Sequence, residues 1–403
     1  MPDFIFNLAP EAQLTMAQNA AFQSPHPVLV TGGPGTGKTV VSIYRFLSSL
    51  IQHKNALFFT YNRTLMASIR GLLHQRGEIL LADINSTERQ ALIESSINSI
   101  YDWYYARTRG IFENDDESAI AVKLANFVSN KRKNAKYEQV IVDEAQDLMP
   151  KIIKNLDKLS KKISCGADSN QDLQGNWLSG SADIEIGDIL NSFSYTESKE
   201  LLRNYRNTRQ IFAFARRFSD DPRVVNLNIE ALPDGEYPEL FSDRDEAEQL
   251  ELIWSVVDGS QSNIGIIVFS KGDIDKIRDF FRKEKNFTDF SYYYQDMPLE
   301  DRNAMEQNLK TPFIVTYESC KGLEFDTVIL PFFQKAAWAL TTAKRNARPN
   351  ADGTEKMICT NNHYYVAATR AKKQLYIFYD WDTTIFRNFR YVTYKLNDAL
   401  VTR

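Results

Sequence analysis

Residues 28–39 read VLVTGGPGTGKT, and the reading of this stretch decides the fold. Val28, Leu29 and Val30 are a short apolar, β-branched run that predicts a buried strand. Gly32, Gly33, Pro34, Gly35, Thr36 and Gly37 are too rich in glycine for helix or strand. Lys38 and Thr39 then open an apolar segment, VVSIYRFLSSLI, with helical spacing. Strand, G-x-x-x-x-G-K-T loop and helix in this order make a phosphate-binding loop. Its glycines let backbone N–H groups turn inward as an anion cradle, reinforced by the helix N-terminus. Lys38 is expected to reach the β- and γ-phosphates of ATP, and Thr39 to hold Mg2+.

The whole chain sets bounds on what such a loop serves. Its 403 residues suggest two or three domains with ample core. Apolar content of 43% and charged content of 25% are those of an ordinary globular protein. A net charge of −4 leaves no global basic field, so any nucleic-acid site must be a local patch. Cys165, Cys320 and Cys359 have no paired spacing and no partnering histidines. That pattern gives no zinc site and fits a reducing cytoplasm. The start, MPDFIFNLAPEAQ, lacks the features of a signal peptide, and no apolar run approaches the about 18 residues of a membrane span.

Further motifs follow at the ends of predicted strands. Gln18 precedes the loop, and its amide suits the edge of adenine or, as plainly, the surface. Strand 56–60 leads into Tyr61, Asn62 and Arg63, which suit base stacking and phosphate contact or simply punctuate a strand. Residues 68–135 look helical and polar, with an aromatic knot that holds Tyr101 and Trp103; such a knot either packs or stacks on bases. Lys131, Arg132 and Lys133 are a short basic run that suits a solvated face. Strand 139–142 ends in Asp143 and Glu144. Asp143 is expected in the Mg2+ shell and Glu144 at the attacking water, as its base. Strand 162–167 leads to Asp168 and Gln171, an amide able to sense the γ-phosphate, and Trp177 stacks or packs just beyond. Tyr205 offers a ring to adenine, and Arg206 and Arg370 are charged forks suited to phosphate. Glu324, beside Gly322, suits a ribose hydroxyl. Phe290–Tyr294 reads as a core strand, residues 332–362 as a basic loop, and residues 363–373 as a helix before strand 374–378.

The order of these motifs resembles that of superfamily 1 helicases of the UvrD/Rep/PcrA group. The resemblance rests on Gln18, GGPGTGKT at 32–39, FTYNRT at 59–64, DEAQD at 143–147, GADSNQ at 166–171, NYRNT at 204–208, TYESCKGLEFD at 316–326 and VAATRAKK at 366–373. It implies an α/β fold of two tandem RecA-like domains, with parallel sheets flanked by helices and ATP in the cleft between them. The first domain is expected over residues 1–200, with a small helical insertion at about 68–135, and the second over 201–403. Lys38, Thr39, Asp143, Glu144 and Gln171 would come from the first. Tyr205, Arg206, Glu324 and Arg370 would come from the second, the two arginines acting as fingers on closure. Single-stranded DNA would lie on Tyr61, Asn62, Arg63, Tyr101, Trp103 and Trp177, with RNA left open.

Two departures matter. Glu318 stands where that family usually carries a histidine, which bears on backbone binding or coupling. No stretch is long enough for the large accessory domains of the bigger members, which puts independent unwinding in doubt more than ATP hydrolysis. The compactness is similar to the UvrD-like subunits that work beside a nuclease in bacterial anti-phage systems such as Gabija. The expected function is an ATP-dependent single-stranded DNA translocase or helicase. Its rival is an ATP- and nucleic-acid-sensing regulatory subunit of a nuclease complex.

Overall fold

In the computed structural model the P-loop strand lies inside a parallel sheet. The structure describes residues 4–108, 117–131, 137–168, 188–189, 191–192, 197–219, 222–242, 244–295, 297–333, 361–380 and 401–402. Gln171, Trp177, Arg132, Lys133 and most of the basic loop at 332–362 lie outside the described residues. The chain divides into two units, Phe6–Asn204 and Met1–Ile5 with Tyr205–Arg403. Each is a parallel α/β layer structure of the RecA-like kind expected.

The first unit holds β1 (Val28–Gly32), β2 (Ala56–Thr60), β3 (Ile97–Asn98), β4 (Tyr137–Asp143), β5 (Ser160–Ala167) and β6 (Glu197–Leu201). Their spatial order is β3-β2-β4-β5-β1-β6. Every neighbouring pair is parallel, so all strands end at one edge, where loops can converge on a ligand. The helices are α1 (Met16–Gln23), α2 (Lys38–Ile51), α3 (Arg63–Leu80), α4 (Ser86–Ser96), α5 (Ile100–Thr108), α6 (Glu117–Lys131) and α7 (Pro150–Leu159). α2 buries Val41, Ile43, Phe46, Leu47 and Leu50, and Phe46 meets Phe58 of β2 edge-on at 5.7 Å. Arg45 on the same helix is buried. Its Nη1 donates to the carbonyls of Ala21, Phe22 and Ser24, which closes the C-terminal end of α1. Burial lowers its pKa to about 10, which still leaves it charged.

Apart from β3, the regular elements among the described residues of the segment expected as an insertion are helices, and they share the sheet's own core. Ile97, Ile100, Trp103, Tyr104, Leu124 and Val128 are buried; all but Ile97 cluster with Leu57, Phe59, Val140 and Val142. Trp103 therefore corrects the nucleic-acid expectation placed on it. It is 1% exposed, edge-on to Phe59 at 5.5 Å and to Phe127 at 5.7 Å, with the Arg107 guanidinium 4.6 Å from its ring centre. A ring closed in this way has no face for a base.

The second unit holds β7 (Glu239–Phe241), β8 (Ile264–Val268), β9 (Ser291–Tyr293), β10 (Phe313–Thr316), β11 (Phe325–Leu330), β12 (Ala371–Phe378) and β13 (Val401–Thr402). Their order is β13-β7-β12-β11-β8-β10-β9, again all parallel. The helices are α8 (Arg209–Ala215), α9 (Pro222–Val225), α10 (Glu246–Val257), α11 (Lys271–Lys283), α12 (Leu299–Gln307) and α13 (Asn361–Ala368). The aromatic strand read as core is β9, a sheet-edge strand. The helix read to Lys373 stops at Ala368, and β12 begins at Ala371 because Ala371 already pairs with Phe325 of β11. Asn263 also joins Ile5 to this unit by paired hydrogen bonds of 2.9 and 2.7 Å.

Because Trp103 is core, Trp103→Ala is expected to cost about 3–5 kcal/mol of stability. Denaturant unfolding of the full chain measures this, and a loss under about 1 kcal/mol would be that of a surface residue.

Candidate nucleotide site

The cradle begins where β1 ends. Gly32, Gly35 and Gly37 have φ of 149°, 72° and 93°, conformations that a side chain resists. A Cβ on Gly32 would lie 2.3 Å from the Leu201 carbonyl oxygen, and one on Gly37 2.4 Å from Gln18 Nε2. Gln18 itself completes a capping box with Thr15 at the start of α1. Its Nε2 donates to the Thr36 carbonyl at 2.9 Å and its Oε1 accepts from Thr15 N–H at 2.9 Å. The amide expected at adenine thus braces the loop. Lys38 Nζ donates to the carbonyls of Gly32 at 2.7 Å and Gly33 at 2.9 Å, and meets Asp168 Oδ2 at 3.3 Å. The two side chains are 8% and 2% exposed, so this is a buried pair that needs its partners.

Two carboxylates stand at the end of β4. Asp143 Oδ2 accepts from Thr39 Oγ1 at 2.7 Å, and Oδ1 accepts from Ser42 Oγ at 3.0 Å. Gly166 of β5 leaves the room, since a Cβ there would lie 2.6 Å from Asp143 Oδ1. Burial pushes the Asp143 carboxyl up to about 7, and the neighbouring Glu144 charge adds to this. A buried acid beside a hydroxyl is a fitting donor set for a hard cation, whose charge would hold the acid ionised. Among the described residues no group of three or more His, Cys, Asp or Glu could hold a metal. A hydroxyl and a carboxylate such as Thr39 and Asp143 suit Mg2+, which keeps water and phosphate in most of its positions. Glu144 has left-handed backbone, φ 56° and ψ 47°, and its Oε2 accepts from Gln146 Nε2 at 2.7 Å.

Tyr205, Arg206, Glu324 and Arg370 belong to the second unit. Tyr205 is 46% exposed. Arg206 Nε and Nη2 donate to Glu324 Oε1 at 2.8 and 2.5 Å, so the carboxylate expected at a ribose is occupied by the arginine expected at a phosphate. Arg370 is buried and donates to the carbonyls of Val366 at 2.9 Å and Leu323 at 3.3 Å. Sequence reading missed Asn207, whose Nδ2 donates to the Thr369 carbonyl at 3.1 Å and the Ala371 carbonyl at 2.6 Å. It straddles Arg370; the NYRNT stretch at 204–208 contains it, but nothing in that stretch assigns it this role.

Of the residues expected at nucleic acid, Tyr61, Asn62 and Arg63 follow β2, and Tyr101 lies in α5. Asn62 caps α3, accepting from Thr64 N–H at 2.9 Å. Arg63 pairs with Asp102 at 2.9 Å. Tyr61 and Tyr101 meet edge-on at 6.1 Å, both partly buried.

The family model of the Schlafen group 3 DNA/RNA helicase domain matches residues 25–249. The UvrD-like helicase C-terminal domain matches residues 284–381. No curated protein sequence matches the chain. Among solved structures, Saccharomyces cerevisiae Dbp5 bound to RNA and ADP BeF3 is 11% identical; the match covers 98% of this chain and 94% of that one at a TM-score of 0.46. The C-terminal domain of a possible DNA helicase from Lactobacillus plantarum is 14% identical over 50% of this chain and 99% of that one, at 0.30. Arterivirus nonstructural protein 10, a helicase, is 13% identical over 92% and 63%, at 0.34.

A phosphate arriving at Lys38 must meet the Asp168 charge. Asp168→Asn is expected to tighten binding of MgATP analogues about tenfold, because one negative charge a few ångströms away is removed. Fluorescent-nucleotide titration reads this, and weaker binding would instead make Asp168 part of the ion shell.

Proposed function

We propose, from the premise that this chain belongs to the family of the Schlafen group 3 DNA/RNA helicase domain, that it is a superfamily 1 motor of the UvrD/Rep/PcrA kind. The chain is a helicase-family, NTP-hydrolysing enzyme that acts on nucleic acid. The finer reading is an ATPase that moves along single-stranded DNA. One observation carries it: Lys38, Thr39, Asp143 and Glu144 converge at one sheet edge, and two hydrogen bonds already join α2 to Asp143.

In that reading Lys38 holds the β- and γ-phosphates in place of Asp168. Thr39 and Asp143 would hold Mg2+, which when bound would supply positive charge to the phosphates. Glu144 takes the proton of the attacking water. Arg206 and Arg370 neutralise the charge that develops on the transferred phosphoryl group. Both are engaged within their own unit, Arg206 by Glu324 and Arg370 by backbone carbonyls. Each must therefore exchange an internal partner for phosphate, which links turnover to rearrangement of the loops at 204–208, 323–325 and 369–371. Tyr61 and Tyr101 remain the stacking surface for the strand, and Gln171 the phosphate sensor. Among the described residues no helix is long and apolar enough to cross a membrane.

Among the described residues the segment at 97–131 packs into the sheet's own core rather than into a separate lobe, which favours the second reading in one respect. A subunit that senses ATP and nucleic acid and switches a nuclease would need no such lobe. ATPase rates with single-stranded DNA, duplex DNA and RNA, together with a strand-separation assay on the purified chain, divide these cases. Stimulation by single-stranded DNA with vigorous unwinding by the chain alone is the expected motor outcome. Stimulation without unwinding favours the regulatory subunit, and no hydrolysis with any of the three removes both.

Glu144→Gln is expected to bind ATP normally and lose turnover by about 10²–10⁴-fold, since the cradle stays and the base is gone. Arg370→Ala is expected to lose about 10³-fold in turnover with nucleotide affinity changed far less. Steady-state ATPase and equilibrium nucleotide binding on the same preparations separate the two quantities, and turnover at the wild-type rate takes either residue out of the mechanism.

A further inference from the structure

We infer that Gln146 is a positioning residue for ATP hydrolysis: it orients the Glu144 carboxylate and ties it to the strand end that carries Asp168. This rests on the reading of Glu144 as the base. Gln146 lies in the one-turn 3₁₀ segment Ala145–Asp147 after β4 and is 1% exposed. Its amide works in both directions. Nε2 donates to Glu144 Oε2 at 2.7 Å, and Oε1 accepts from the backbone N–H of Asp168 at 3.0 Å. Asp168 in turn meets Lys38 Nζ at 3.3 Å. One planar amide therefore stands between the phosphate-binding lysine's partner and the carboxylate that must face water.

Three physical points give this arrangement a role in turnover. A glutamate side chain turns about several single bonds, and a base acts only within hydrogen-bond reach of its proton. A donor at 2.7 Å on one carboxylate oxygen restricts that freedom. Glu144 also sits in left-handed backbone at φ 56°, a conformation that persists only where the surroundings hold it. Finally, a primary amide of this length can both donate to a carboxylate and accept from a backbone N–H at the end of the neighbouring strand. β4 and β5 are neighbours in parallel register, Val142 opposite Cys165, which is what brings residues 146 and 168 within reach.

The test uses the full chain with MgATP and saturating single-stranded DNA. Gln146→Met keeps the volume and removes both hydrogen bonds; Gln146→Glu keeps the acceptor for Asp168 and replaces the donor by a like charge. Both are expected to lower kcat by about 10²-fold, the cost of a misplaced catalytic group. KM and the affinity for a non-hydrolysable nucleotide should change less than about threefold. In a Glu144→Gln background, Gln146→Met should cost nothing further, because the group it positions is already gone. A purely structural glutamine would lower the melting temperature and nucleotide affinity together, and would cost the same in either background. That result, or wild-type kcat in Gln146→Met, overturns the inference. Wild-type turnover in Glu144→Gln overturns the reading of the base beneath it, a separate outcome read from the same plates.

Discussion

The ammonium of Lys38, pinned against two glycine carbonyls under a helix N-terminus, is the contact on which the rest of the first unit depends. A buried cation must be surrounded by acceptors or it loses its hydration without return. The chain supplies Gly32 and Gly33 oxygens from the loop and the Asp168 carboxylate from the end of β5. Each source carries its own demand. The loop must turn through positive φ, so glycine stands at 32, 35 and 37. Asp168 must arrive from a neighbouring strand, so β5 must lie beside β1 and run parallel to it. The site is thus an arrangement of charge around one lysine, and in the proposed reading a phosphate would take the place of the carboxylate.

The same sheet geometry delivers the rest. β4 lies next to β5, and its end presents Asp143 to the hydroxyls of Thr39 and Ser42 on the first turns of α2. Gly166 keeps the space that Asp143 fills. In the second unit three separate segments are sewn together by polar contacts of a similar kind. Arg206 meets Glu324, Asn207 spans the carbonyls on either side of Arg370, and Arg370 reaches back to Leu323. The Phe325 N–H closes this set on the Arg370 carbonyl at 3.0 Å. Two arginines far apart in sequence are in this way held by one small group of hydrogen bonds, and movement of either is felt by the other.

Much of this was legible from residues alone, and the exceptions have physical causes. The apolar runs at 28–30, 56–59, 140–142 and 313–315 are strands because three or four consecutive buried apolar residues, rich in β-branched and aromatic types, suit a strand covered on both faces. β6 reads ESKEL, and its polar residues are tolerated because it lies at the sheet edge. β12 takes up Lys372 and Lys373, which favour a helix locally, because Ala371 and Gln374 on either side pair with Phe325 and Thr327 of β11, and this outweighs a propensity worth a few tenths of a kcal/mol. Trp103 could not be placed as core or surface by its sequence neighbours, since the ring is buried by Phe59, Phe127 and Tyr137 from three other elements.

Sequence by itself determined the phosphate cradle, the pair of acids downstream and the alternation of strands and helices. These depend on short-range rules of backbone freedom, spacing and apolar period, which act within a dozen residues. Tertiary structure alone decided the partners: Asp168 for Lys38, Glu324 for Arg206, Gln146 between Glu144 and Asp168, and Asn207 astride Arg370. A buried polar group takes whatever complementary atom the packed strands bring within about 3 Å. That choice depends on strand order and register, which no local stretch of the chain encodes.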